Sequence, residues 1–149
     1  MAEYKQILIK LANFCAYQDR SKMEILKKMK ELETPENEID KMLAFLEKEK
    51  YWNEKRFVHS FVRGKFRFKS WGKKKIMYEL KAHLIPENMV WDAFDAEISD
   101  EEYNTKIAEL IDKKRREIAK DSPQTQKEKI TRFLLQKGYD WADIAALLH

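Results

Sequence analysis

The chain has 149 residues, is 44% hydrophobic and 38% charged, and carries a net charge of +4. That length falls in the single-domain range, and the lone cysteine, Cys15, excludes an intramolecular disulfide framework and suits a reducing compartment. No apolar run is long enough for a signal h-region or a membrane span, so a cytoplasmic protein without a membrane partner is expected, and three Gly with three Pro favour long helices joined by short turns.

From the N-terminus, Ile7, Leu8, Leu11, Phe14 and Cys15 line one face of a helix. Ser21-Lys22-Met23-Glu24 is a capping-box pattern ahead of Ile25, Leu26, Met29 and Leu32. Thr34-Pro35 predicts an N-cap with proline at the first helical position, followed by Ile39, Met42, Leu43 and Leu46. Asn53 can cap a helix bearing Phe57, Val58, Phe61 and Val62. Ser99-Asp100-Glu101-Glu102 is a further capping box before Ile107, Leu110, Ile111 and Ile118. That helix begins acidic and ends Lys113-Lys114-Arg115-Arg116, which suits its macrodipole. Residues 121–126, DSPQTQ, read as a polar connection leading into the next helix.

The pattern repeats. PEN occurs at 35–37 and again at 86–88, a shift of 51 that carries Ile25 to Ile76, Met29 to Leu80, Ile39 to Val90 and Leu43 to Phe94. A further shift of 54 carries this set to Ile130, Leu134, Ile144 and Leu148. All twelve positions are apolar, and periods of this size signal stacked helical units that share apolar contacts. The expected fold is all-α, an elongated array of three tandem three-helix repeats with about nine helices. The expected units are 1–50, 51–98 with a basic segment at 63–75, and 99–149.

Chemistry-bearing motifs are scarce. His59, His83 and His149 are scattered, no Cys/His spacing suits zinc, and no phosphate-cradling glycine loop is present. Most carboxylates have a Lys or Arg three or four positions away, as on a solvated helix face. The chain therefore reads as a binding protein without catalytic residues, metal or cofactor.

Its most unusual stretch is VRGKFRFKSWGKKK at 62–75. Arg63, Lys65, Arg67, Lys69, Lys73, Lys74 and Lys75 make its last thirteen residues +7, so the other 136 sum to −3. Arg56 lies just upstream. Lys73, Lys74 and Lys75 fall in the first turn of a helix, where the macrodipole favours acids and each exposed lysine costs about 0.3–1 kcal/mol. Local stability does not account for them, whereas binding an anion does. Phe66, Phe68 and Trp71 have helical spacing and are expected to pack into the core or a unit boundary, with Trp71 the least settled.

Tyr51-Trp52-Asn53-Glu54-Lys55-Arg56-Phe57, the basic segment and Gly72-Lys73-Lys74-Lys75-Ile76 with Glu79-Leu80 resemble the central signature of the RecX family. Leu134-Leu135-Gln136-Lys137-Gly138-Tyr139-Asp140-Trp141 with Ile144 is similar to its closing segment, and Tyr17, Arg20, Ser21, Glu24 and Ile25 to its first repeat. The resemblance implies a curved, elongated, all-helical regulator in homologous recombination, DNA repair and the SOS response. Such proteins bind in the groove of the RecA–single-stranded-DNA filament and generally inhibit its ATPase and strand exchange. The expected partners are the RecA filament and single-stranded DNA, with double-stranded DNA left open, and the expected state is a monomer. The residues expected to meet them are Arg56, Arg63, Lys65, Arg67, Lys69, Trp71, Lys73, Lys74 and Lys75, with Lys113, Lys114, Arg115 and Arg116 as a secondary cluster. A helix-turn-helix-like module acting on DNA directly would use the same patch.

One departure from the family pattern concerns the turns. The family often places Lys-Gly at the end of the second helix of a repeat, but only Gly138 supplies that glycine here. Leu84 holds the place in the second unit, so the turns of units one and two are expected to differ from the third.

Overall fold

In a computed structural model, residues 2–148 are described; His149 lies outside them. They form nine α-helices and no strand. These are α1 (Ala2–Tyr17), α2 (Lys22–Glu31), α3 (Ile39–Lys48), α4 (Glu54–Lys69), α5 (Lys73–Ala82), α6 (Glu87–Glu97), α7 (Asp100–Glu117), α8 (Pro123–Lys137) and α9 (Trp141–Leu147). None is long and apolar enough to cross a membrane. The accessible surface is 9785 Å², against about 8,000 Å² for a compact monomer of this mass. The excess is that of an elongated array.

The caps form as the residue types dictate, except that Ser99 caps α7 without the reciprocal bond of a capping box, the Glu102 carboxylate pairing with Arg67 instead. Ser21 Oγ accepts from the Glu24 amide while Glu24 Oε1 accepts from the Ser21 amide, a complete capping box. Asn53, Ser99 and Ser122 each accept from the amide three residues on. The Thr34-Pro35 start differs from expectation. Pro35, not Thr34, is the N-cap, and it opens a 3-10 turn over Glu36–Glu38 before α3 begins. Of the twelve apolar positions related by the repeat, Ile39 alone is only half-buried; the other eleven are buried.

The three turns share one hydrogen-bonding pattern, and the third differs from the other two in backbone angle. Glu33, Leu84 and Gly138, related by the same two shifts, all adopt left-handed backbone, with φ of 55°, 62° and 101°. In each unit the following amide reaches back to the helix, Thr34 to Met29 O, Ile85 to Leu80 O and Tyr139 to Leu134 O, at 2.9, 3.1 and 3.0 Å. These bonds satisfy helix-end carbonyls in a Schellman arrangement. They offset the roughly 1–2 kcal/mol that a side chain costs in the left-handed region. Glycine is therefore not required for the turn's hydrogen bonding, but the third unit does require it, because a Cβ on Gly138 would lie 2.4 Å from Lys75 Cβ and 2.6 Å from the Lys75 amide nitrogen.

The core is divided. Ile7, Leu11, Cys15, Ile25, Met29, Met42, Leu43, Leu46 and Trp52 form one cluster around α1–α3. A second, continuous cluster runs from Phe57 to Leu148 and joins α4–α6 to α7–α9. Polar contacts mark the boundary between α1–α3 and α4–α6. Asp19 pairs with Arg56 at 2.7 Å and accepts from Ser60 Oγ, and the buried Ser21 Oγ lies 2.9 Å from His83 Nδ1. Deleting residues 103–149 should therefore unfold the middle unit, which would be stripped of much of its shared core, while α1–α3 keeps its own cluster. Limited proteolysis of the truncated chain should cut within α4–α6 first.

Burial pushes the Cys15 thiol up to about 11. The thiolate is the reactive form, so Cys15 should resist thiol reagents at neutral pH until the chain is unfolded. Labelling with and without denaturant, followed by mass, checks this.

Candidate nucleic-acid interface

The basic segment spans the end of α4 and the start of α5. Ser70 turns the chain out of α4 in left-handed backbone (φ 57°), Trp71 N–H donates to Lys65 O, and Gly72 is the N-cap of α5 without a side-chain cap. The amides at this helix start find partners elsewhere. Gly72 N–H donates to Lys137 O at 2.7 Å and Lys74 N–H to Gly138 O at 3.0 Å. Lys73 N–H donates to Tyr103 Oη at 3.0 Å, and Tyr139 Oη donates to Ser70 O at 2.9 Å. The carbonyl end of α8 thus meets the amide end of α5, each offsetting the other's partial charge. The backbones approach so closely that a Cβ on Gly72 would lie 2.4 Å from both C and O of Gly138.

Contrary to the expectation from sequence, the three lysines in the first turn of α5 do have local partners. Lys74 pairs with Asp140 at 3.1 Å. The Lys73 ammonium sits 4.6 Å from the centre of the Tyr103 ring, and that of Lys75 lies 4.5 Å from the Trp71 ring. Lys65 approaches the same indole at 4.9 Å, so two ammonium groups share the Trp71 ring. Exposed interactions of this kind contribute about 0–1 kcal/mol each, little enough to be exchanged for a ligand anion.

The arginines are more committed. Arg56 ties α4 to Asp19. Arg63 and His59 both engage Glu97 at 2.9 Å, and the His59 hydrogen bond, with help from Arg63, holds the Glu97 carboxyl below the usual carboxylate range. Arg67 pairs with Glu102 at 3.4 Å across the boundary with α7. Burial pushes the Tyr103 phenol up to about 12, so it stays protonated between Lys73 and the ring of Phe66.

The three aromatics of the segment separate. Phe66 is fully buried against Tyr103, and Trp71 is half-buried against Phe61. Phe68 is not in the core; it is 85% exposed. Residues two apart on an α-helix differ by about 200°, so Phe66 and Phe68 cannot share a face. Val58, Val62 and Phe66 already occupy the inward one.

The secondary cluster divides as well. Lys113 and Lys114 line a groove of about 340 Å³ together with Phe68, Lys69, Phe133 and Lys137. Arg115 faces a different groove, beside Pro123 and Ile130, and Arg116 is exposed. Among the described residues, no group of three or more His, Cys, Asp or Glu side chains is placed to hold a metal ion.

Comparison with known proteins returns one family. The description "RecX, second three-helix domain" matches residues 53–93, and "RecX, third three-helix domain" matches residues 100–148. The chain is 30% identical to the "Regulatory protein RecX" of Oceanobacillus iheyensis over 136 residues, 91% of this chain and 50% of that protein. It therefore spans about half the length of that relative. The namesake of Cronobacter sakazakii is 28% identical over 158 residues, covering 97% of this chain and 91% of its own. Among solved structures, "Crystal structure of RecX from Lactobacillus salivarius" superposes with a TM-score of 0.89 at 24% identity, covering 99% of this chain and 95% of that one. At that identity the likeness speaks for the fold.

Proposed function

This chain belongs to the RecX family, and from that premise we propose that it is a regulatory protein that binds the RecA–single-stranded-DNA filament and inhibits its ATPase and recombination activity. The observation that carries this reading is the cationic face at the α4–α5 junction, where Lys65, Lys73, Lys74 and Lys75 are held by weak interactions beside the ends of α7 and α8. A DNA-loaded filament offers phosphates and acidic protein surface together, and this face suits both. The protein acts by binding, without catalysis of its own.

The test is a titration of this protein into RecA ATPase on single-stranded DNA, with naked-DNA affinity measured at the same salt. Saturable inhibition, with the filament bound far more tightly than naked DNA, is expected. Equal affinity for naked DNA and filament, with the ATPase unchanged, would favour a helix-turn-helix-like module instead.

A further inference from the structure

The groove at the ends of α4, α7 and α8 holds two features that the fold does not use. One is the phenyl ring of Phe68, left in water on the last turn of α4. A single exposed aromatic is ordinary on a protein surface. This one, however, faces a concavity ringed by Lys69, Lys113, Lys114 and Lys137.

Helix ends explain part of that charge. Three C-termini converge here, each with roughly −0.5 of partial charge, and lysines stabilise them. Lys137 Nζ serves in that way, donating to Lys69 O at 3.1 Å. Lys114 is spent on Glu117, the groove's carboxylate, at 3.6 Å. Lys69 and Lys113 have no carboxylate partner among the described residues. Two uncommitted ammonium groups therefore accompany an uncommitted aromatic face.

An acidic protein surface would use the ammonium groups and leave the ring idle. An apolar helix would use the ring and bury unpaired charge, which is costly. A nucleotide unit uses both, with its base on the ring and its phosphates on the lysines. We infer that this groove is a subsite for single-stranded nucleic acid, in which Phe68 stacks on one base and Lys69 and Lys113 hold the flanking phosphates. The inference rests on the reading that the basic face meets nucleic acid, and it joins the two lysine clusters into one tract.

The test uses the full chain without any recombinase. Two fluorescently labelled strands of equal length are compared by anisotropy, an oligothymidylate and an abasic deoxyribose-phosphate backbone. Stacking of one base predicts a preference of roughly five- to hundredfold for the thymidylate. Phe68→Leu should remove that preference and leave abasic-strand affinity and its salt dependence unchanged. Lys69→Gln with Lys113→Gln should keep the preference and lower the log–log salt slope by roughly 0.7 for each phosphate no longer neutralised. An undiminished preference in Phe68→Leu, or failure of the wild-type chain to bind either strand, overturns the subsite. Inhibition of RecA ATPase, measured on the same proteins, separates the two readings. A Phe68-dependent preference without inhibition keeps the subsite and removes the filament role; inhibition without the preference does the reverse.

Discussion

Replacing Lys73, Lys74 and Lys75 together with glutamine is expected to abolish inhibition of RecA's ATPase while leaving helix content unchanged. By sequence, glutamate looks the better replacement, because acids suit the first turn of a helix and the fold should survive the change. The α5–α8 junction argues otherwise. A glutamate at position 74 would set a carboxylate beside Asp140, which now pairs with the Lys74 ammonium. Glutamine removes the charge without adding repulsion, and the Lys74–Asp140 pair it breaks is exposed, worth about 0–1 kcal/mol. If all three lysines meet phosphates, the salt slope on single strands should fall by roughly 0.7 for each. A glutamine variant that inhibits like wild type at every salt concentration would reduce the patch to a solvated face. By sequence, the cluster at 113–116 should matter less. Its position in the groove with Lys69 revises that for Lys113, whose replacement should lower the salt slope on single strands by roughly 0.7, whereas Lys114 is already paired with Glu117.

Gly72→Ala is expected to cause a large loss of stability for a single added methyl group. The new Cβ would meet backbone, C and O of Gly138 at 2.4 Å and the Tyr139 amide nitrogen at 2.5 Å, so no side chain can swing aside. The helix ends must separate, straining or breaking the bonds from Gly72 to Lys137 and from Lys74 to Gly138. Overpacking of about 1–3 kcal/mol plus two hydrogen bonds at about 1 kcal/mol each gives roughly 3–5 kcal/mol. For a chain of this size that lowers Tm by about 10 °C. Gly64→Ala is the control, since a Cβ there meets nothing within 4 Å and sits inside α4. It should raise stability by about 0.8–1 kcal/mol through helix propensity. Thermal unfolding followed by circular dichroism measures both, and a Gly72→Ala protein melting with wild type would contradict the end-to-end docking of α8 on α5.

What the sequence determined by itself is whatever acts over a few residues or repeats at a fixed interval. The Ser21, Asn53 and Ser99 caps were legible because a side-chain oxygen reaches an amide three positions on. The three units were legible because apolar residues four apart fall on one helix face, and the same face recurs at 51 and 54 residues. The outward turn of Phe68 was also within reach, since the Val58–Val62–Phe66 stripe leaves it no place inside. Tertiary structure decided the rest. Leucine and glutamate hold left-handed turns because helix-end carbonyls and the packing that follows outweigh a local steric cost, which residue preference alone cannot register. The lysines at 73–75 looked unsupported only until the carbonyl end of α8 came to lie against them. Likewise, Lys69 and Lys113 share a groove because two helices end at the same place. Such meetings depend on how the units stack, and the stacking is set by apolar burial and close backbone approach between segments far apart in the chain.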